Sequence, residues 1–204
     1  MKKVFVFLFV SLALSGYTIA QDKEPFFAKE KLFTGGSVGV NFGNGTFSLG
    51  LVPHFGISIT KFLDIAVTGN YNYISQRDQF STYKVRQTIM GPGAFVRLYP
   101  FQSGFLQGQY EYNFIKYREI YGRGFPDIVT KLKTQSFLVG GGYCNGRQDG
   151  REPFYYVSIL FDLADNVFSP YKDQFNRIQP VIRAGFNIPL FQGGSNKKRQ
   201  TEDD

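Results

Sequence analysis

The sequence predicts an all-β fold, namely an eight-stranded antiparallel up-and-down transmembrane β-barrel with a polar, largely filled lumen. Two observations carry the prediction. Apolar and polar residues alternate in stretch after stretch beyond residue 31, and Gly, Asn, Asp and Pro separate the stretches. The polar face consists of Gly, Ser, Asn, Gln and Thr with few Lys or Glu, whereas a sheet facing water usually carries many charges. Alternation is typical of strands, because successive side chains point to opposite faces.

The amino-acid composition excludes several classes of protein and partner. The length of 204 residues fits a single barrel. A mean hydropathy of −0.19 argues against a bundle of membrane helices but is compatible with a barrel whose polar lumen dilutes the average. The single cysteine cannot form an internal disulfide. The basic residues are spread over ends and turns with acids among them, so we expect no nucleic-acid partner.

The first segment of the chain has the pattern of an export signal. A basic start at Lys2 and Lys3 precedes an apolar run from Val4 to Leu14, and small residues lead up to Ala20. This pattern predicts a signal peptide over residues 1–20 that is cleaved after export. The apolar run is too short for a membrane helix, which needs about 20 residues.

The mature chain is expected to divide into three parts. Residues 21–31 would form an N-terminal tail in the periplasm, residues 32–191 the barrel, and residues 192–204 a charged C-terminal tail. The alternation is clearest over Leu63–Tyr73, where the odd-numbered side chains are mostly apolar and the even-numbered ones mostly small or polar. The predicted strands cover 32–42, 46–58, 63–75, 84–99, 104–119, 133–144, 153–164 and 179–191.

Alternation alone leaves two orientations open. A soluble lipocalin-type barrel would turn its apolar face inward around a ligand. An eight-stranded lumen is only just wide enough for side chains to fill it, so large aromatics at every inward position would not fit, whereas glycines such as Gly91, Gly140 and Gly142 would. We therefore expect the apolar face to contact lipid, with tyrosines near strand ends, such as Tyr99 and Tyr143, in interfacial girdles.

The signal peptide and three segments make the sequence similar to small outer-membrane β-barrel domain proteins of Gram-negative bacteria, the OmpX-, OmpW- and OmpA-type barrels. The segments are Thr34–Val40, Gly91–Tyr99 and the last strand, Ile182–Phe191. The resemblance implies location in the cell outer membrane, contact with outer-membrane lipid, and recognition of the last strand by the barrel-assembly machinery through Phe186 and Phe191. Phe191 is followed by 13 further residues, unlike the terminal aromatic residue of such families.

The most distinctive local feature is a set of charged residues on the inward face of the predicted strands. They are Asp64, Arg97, Glu111, Asp162 and Arg183. Position along the strands predicts two ion pairs, Asp64–Arg97 and Asp162–Arg183, with Glu111 facing Arg97, Arg86 or water. Buried charges must be paired. The interpretation is a structural network that closes the lumen, and the alternative is a narrow path for ions or protons.

The sequence gives little indication of a catalytic site or a metal site. His54 is the only histidine, and a hydrolase or acyltransferase would need it beside a serine and an acid such as Glu111. No motif accompanies it, and one histidine with one cysteine cannot supply a zinc-type ligand set, so we expect no metal and no cofactor. Cys144 is interpreted as a small half-buried residue, the alternative being a thiol that bridges to a partner.

The predicted function is that of a non-enzymatic, integral outer-membrane protein with a structural or contact-making role, for instance as an accessory subunit of an outer-membrane complex. Surface loops carry function in such scaffolds, and Tyr121–Asp127 is the candidate contact loop, the alternative being an ordinary exposed Gly-rich turn. Two alternatives remain open: a narrow passage for small or apolar solutes, and an outer-membrane lipid-modifying enzyme.

Overall fold

A closed barrel of eight antiparallel strands forms the described part of the protein, each strand pairing with its sequence neighbours and β1 pairing with β8. The structure is a computed structural model. It describes residues 28–43, 46–77, 84–121, 126–145, 147, 152–164, 166, 168–172 and 177–191. The predicted signal peptide, the C-terminal tail, most of the N-terminal tail and the centre of the 121–127 loop lie outside these residues.

The strands are β1 (Leu32–Gly43), β2 (Thr46–Thr60), β3 (Leu63–Arg77), β4 (Lys84–Phe101), β5 (Gly104–Ile120), β6 (Ile128–Asn145), β7 (Phe154–Asp162) and β8 (Val181–Pro189). A single 3-10 turn, Lys29–Lys31, precedes β1. We call the end of the barrel that holds this turn the lower end. The opposite end, where β3 ends and β4 begins, is the upper end.

The predicted fold class is confirmed, with eight strands in up-and-down order. Most predicted boundaries lie within a few residues of the observed ones. The main difference is at the upper end, where β6 begins at Ile128 rather than at residue 133 because it continues to pair with β5 up to Glu119. The β5–β6 hairpin is therefore longer than the alternating pattern alone indicates. Within the described residues, no helix is long and apolar enough to cross a membrane.

Apolar side chains cover the outer wall and polar ones fill much of the interior. Along β7, the outward residues Val157, Ile159 and Phe161 are 43–49% exposed, while the inward Ser158 and Asp162 are almost fully buried. Tyr143 also faces outward, but Tyr99 is buried inside the barrel, so its expected place in an interfacial girdle is wrong. The reason is parity, because Tyr99 is two residues from the inward Arg97 and shares its face.

Candidate functional site

The centre of the lumen is organised around the carboxylate of Glu111 on β5. Its Oε1 accepts hydrogen bonds from Gln109 Nε2 at 2.8 Å and Arg183 Nη2 at 3.0 Å. Its Oε2 accepts one from the Tyr171 hydroxyl at 2.6 Å and longer ones from Asn113 and Asn70. Glu111 has no solvent exposure. These donors and the arginine offset part of the hydration that the carboxylate loses on burial.

The expected Asp162–Arg183 pair is wrong, and Glu111 takes the arginine instead. Arg183 is the direct cross-strand neighbour of Ser158, so Asp162 lies four residues farther along β7. That offset corresponds to about 13 Å along the strand. Asp162 is satisfied at the upper end by the backbone N–H groups of Phe137 and Ala164 and by the hydroxyl of Ser169.

The expected Asp64–Arg97 pair is also wrong, although these residues are direct cross-strand neighbours. Both oxygens of Asp64 accept hydrogen bonds from Arg147, which lies in the connection between β6 and β7. Arg147 also donates to the carbonyl of Lys61 and lies over the ring of Tyr99 at 3.4 Å from its centroid. The buried Asp64–Arg147 pair therefore joins Arg147 to β3 across the lower mouth of the barrel.

Arg97 lies just above this pair in an aromatic cage, which we define as Phe95, Phe105 and Tyr156. Its Cζ is 4.3–4.7 Å from the three ring centroids. Its guanidinium donates to Gln107 Oε1 from Nε at 3.0 Å and from Nη2 at 2.8 Å. Cation–π contacts are strongest where water is excluded, and Arg97 is only 1% exposed. Aromatic faces, one amide oxygen and the hydroxyl of Tyr99, which accepts from Nη1 at 3.4 Å, thus take the place of the expected carboxylate.

Two inward glycines make room for the cage. A Cβ at Gly185 would lie 2.6 Å from Cζ of Tyr156, and a Cβ at Gly142 would lie 2.5 Å from Cζ of Phe105. Both separations are too short for carbon atoms, and backbone carbonyl oxygens lie nearer still, Gly36 O at 2.4 Å from the first Cβ and Val157 O at 2.2 Å from the second, so a side chain at either glycine would displace a ring and the neighbouring strand. Gly142 is one of the glycines expected from the sequence to fit inside the lumen, and here Gly142 and Gly185 let large rings lie close to the wall.

His54 faces inward among aromatic rings, with centroids 5.4 Å from Phe95 and 6.0 Å from Phe33. Its Nε2 is 2.7 Å from Oδ1 of Asn187, and since an amide oxygen can only accept, the imidazole donates. Among the described residues, the side-chain hydrogen bond of His54 is to Asn187 and not to a serine or a carboxylate. This arrangement holds the imidazole ring in place.

The upper mouth is filled by Tyr171 from the connection between β7 and β8. Its ring packs against Leu138 and Leu160, and its hydroxyl accepts hydrogen bonds from Arg183 at 3.2 Å and Asn72 at 3.3 Å while donating to Glu111. Burial and the neighbouring Glu111 carboxylate raise the pKa of Tyr171 well above its ordinary value. The phenol therefore stays protonated and continues to donate.

The space between the lower and upper closures includes a small cavity beside the two lumen arginines. A cavity of about 10 Å³ lies between Arg97 and Arg183, lined also by His54, Gln109 and Ser158. That volume holds about one water molecule. Among the described residues, no cluster of three or more His, Cys, Asp or Glu side chains could hold a metal ion.

The remaining sequence-predicted residues lie on or near the wall. Phe186 faces outward on β8 and is 45% exposed, and Phe191 lies beyond the end of β8 with a positive φ of 60°. Cys144 is buried rather than half-buried, and its thiol donates to the carbonyl of Gln102 at 3.5 Å. Sequence reasoning missed Arg147 and Tyr171, because both lie in connections where no periodicity predicts direction. Gln107 and Gln109 could have been found, since they share the inward face with Glu111.

Comparison with known proteins shows a structural likeness without a family match. No protein-family model matches the chain, and no curated protein matches it. Among solved structures, the chain is similar to Ail, the attachment invasion locus protein of Yersinia pestis, which was crystallised with the heparin analogue sucrose octasulfate. The two share 7% identity over 77% of this chain and 95% of the other, with a TM-score of 0.47. The fold assignment above rests on the strand pairing of this chain itself.

Proposed function

We propose that this protein is a non-enzymatic, integral β-barrel of the cell outer membrane, with a closed lumen and a structural or contact-making role. The distribution of apolar side chains carries the proposal. Each of the eight strands turns large apolar residues outward, among them Val38, Leu51, Val67, Val96, Leu106, Phe137, Ile159 and Ile182, all 42% exposed or more. A protein surrounded by water does not expose an apolar band around its whole circumference.

The closure of both mouths favours contact-making over transport. The Asp64–Arg147 pair lies across the lower mouth, Tyr171 fills the upper one, and the cavity between them holds about one water molecule. An ion or solute would have to displace several buried hydrogen bonds to pass. We therefore place the function at the outer surface and the ends of the barrel, where an accessory subunit would meet its partner.

The experiment is fractionation of native membranes, followed by purification in mild detergent and mass measurement. Recovery from the outer membrane, alone or with partner proteins, together with no conductance in planar bilayers, is the expected result. Co-purifying proteins would identify the accessory role. Recovery as a soluble periplasmic protein, or a conductance that Glu111→Gln changes, would contradict the proposal.

A further inference from the structure

Seven basic side chains of the upper end lie on the outer wall of four consecutive strands. We call this set the basic rim: Arg77 on β3, Lys84 and Arg86 on β4, Lys116 and Arg118 on β5, and Lys131 and Lys133 on β6. Their outward direction follows from parity, because the residues that alternate with them on the same strands, such as Ile89, Ile115 and Thr134, are buried inside.

The register brings like charges directly opposite one another. Arg77 is the cross-strand partner of Lys84, Arg86 of Arg118, and Lys116 of Lys131. Side chains at directly opposed positions have Cβ atoms about 4.5–5.5 Å apart, and like charges there destabilise a sheet. Among the described residues, Arg118 is the one rim cation that forms an ion pair, with Asp127 at 2.7 Å in an exposed position. The rim thus holds more positive charge than its described neighbours neutralise.

The rim begins where the apolar band ends. Along β5 the outward side chains from Leu106 to Phe114 include no charge, and Lys116 follows immediately. These nine residues span about 30 Å along the strand, which at the usual tilt matches an apolar band about 25 Å tall. Lys133 places its Nζ 5.8 Å from the ring centroid of Phe114, as expected of a lysine whose stem lies along apolar surface while its ammonium reaches the interface.

We propose that the basic rim binds the phosphate-bearing headgroups of acidic lipids in the leaflet at the upper end. The inference rests on the proposed membrane location. Its level favours a lipid over a soluble partner, because cations on the side wall directly above a lipid-facing band lie in the headgroup layer. Paired arginines and lysines suit phosphate, since guanidinium forks bind its oxygens in bidentate fashion and ammonium groups add point charge. Anions between the opposed cations would offset their repulsion.

The test uses the full mature chain in nanodiscs of phosphatidylcholine, alone or mixed with phosphatidylglycerol or monophosphoryl lipid A. The variant Arg86→Gln/Lys116→Gln/Lys131→Gln removes one positive charge of the basic rim from each of β4, β5 and β6. The control Lys29→Gln/Lys31→Gln/Lys61→Gln removes the same charge at the lower end. Thermal unfolding checks that both are folded. The readout is the ratio of acidic to zwitterionic lipid retained by the protein, measured by mass spectrometry at low and high salt.

The wild type and the control are expected to retain acidic lipid selectively. In the rim variant this selectivity should fall at least about fivefold, because that is the effect of removing one cation near an anionic surface. High salt should reduce the wild-type selectivity. Equal ratios for the wild type and the rim variant, or an equal loss in the control, would overturn the inference. So would rim-dependent binding of dextran sulfate without lipid selectivity, which would indicate a soluble polyanion. Failure to enter phosphatidylcholine nanodiscs would refute the membrane location itself.

Discussion

Asp64 forms its ion pair with Arg147, a residue 83 positions away in the β6–β7 connection, and not with Arg97, its direct cross-strand neighbour. The two arginines divide the lower lumen between them. Arg147 neutralises the carboxylate and lies across the mouth, while Arg97 is held above it by aromatic rings and Gln107. Closure of the lower end therefore depends on a connection and not only on the strands.

Removal of Arg147 is expected to destabilise the barrel strongly. Arg147→Ala leaves the Asp64 carboxylate buried without its ion pair, which costs about 3–5 kcal/mol. The matched control is Arg118→Ala, which breaks the exposed pair with Asp127 and costs about 0–1 kcal/mol. The free energy of unfolding in urea, measured in lipid vesicles, tests both. Similar losses in the two variants would contradict the assigned role of Arg147.

The Glu111–Arg183 pair predicts strong coupling between its members. Glu111→Gln leaves Arg183 buried without a carboxylate, and Arg183→Met leaves Glu111 with one charged donor fewer, so each is expected to cost about 3–5 kcal/mol. The double variant should cost less than the sum, because it leaves no unpaired charge from this pair. Additive losses in a double-mutant cycle would mean that the contact at 3.0 Å contributes little.

Gly185 tests the aromatic cage. Gly185→Ala places a Cβ 2.6 Å from Cζ of Tyr156 and 2.4 Å from the carbonyl oxygen of Gly36, so overpacking against the ring and the neighbouring strand should together cost about 1–3 kcal/mol. Gly108→Ala is the control, because a Cβ at Gly108 meets no atom within 4 Å. Unfolding midpoints of the two variants give the comparison. If neither alanine lowered the stability of the barrel, Tyr156 would not be held against the wall, and the cage would be packed less tightly than in the structure.

Tyr171 tests the upper closure. Tyr171→Phe removes the hydroxyl that donates to Glu111 and accepts from Arg183 and Asn72, and it should cost about 1–3 kcal/mol. Tyr171→Ala also removes the ring and should cost about 3–5 kcal/mol. The raised pKa of Tyr171 means that the protonated phenol is the donor, so its contribution persists through neutral and mildly alkaline pH. A loss of stability near the ordinary pKa of tyrosine would contradict this.

Strand positions and facing could be predicted because both follow from a period of two, as in Leu63–Tyr73. Side-chain contacts between strands could not be predicted, because they depend on register and shear, which the alternating pattern does not specify. Asp162 and Arg183 are on adjacent strands with the correct facing, yet their register separates them. The same register assembles the basic rim from residues that are scattered in sequence, such as Arg86 and Lys131.

Residues in connections were the least predictable. Arg147 and Tyr171 close the two mouths, but neither lies in a strand, so no periodicity indicated that they point into the lumen. Glu111 was recognised as a buried charge that needs a partner, and the structure supplies Arg183, which was expected to serve Asp162 instead. The need for compensation was therefore predictable from chemistry, whereas the identity of the partner was not.

The most direct test of the central claim asks whether lipid contacts the outer wall. A single spin label is placed at Ile159 in the apolar band or, for comparison, at Lys131 in the basic rim, in a Cys144→Ala background. Collision rates with oxygen, which concentrates in lipid, and with a water-soluble nickel chelate are then measured in vesicles. We predict that oxygen dominates at Ile159 and that the nickel chelate gains access at Lys131. Free access of the nickel chelate to the label at Ile159 would show that water covers this wall, and the protein would not be a membrane barrel.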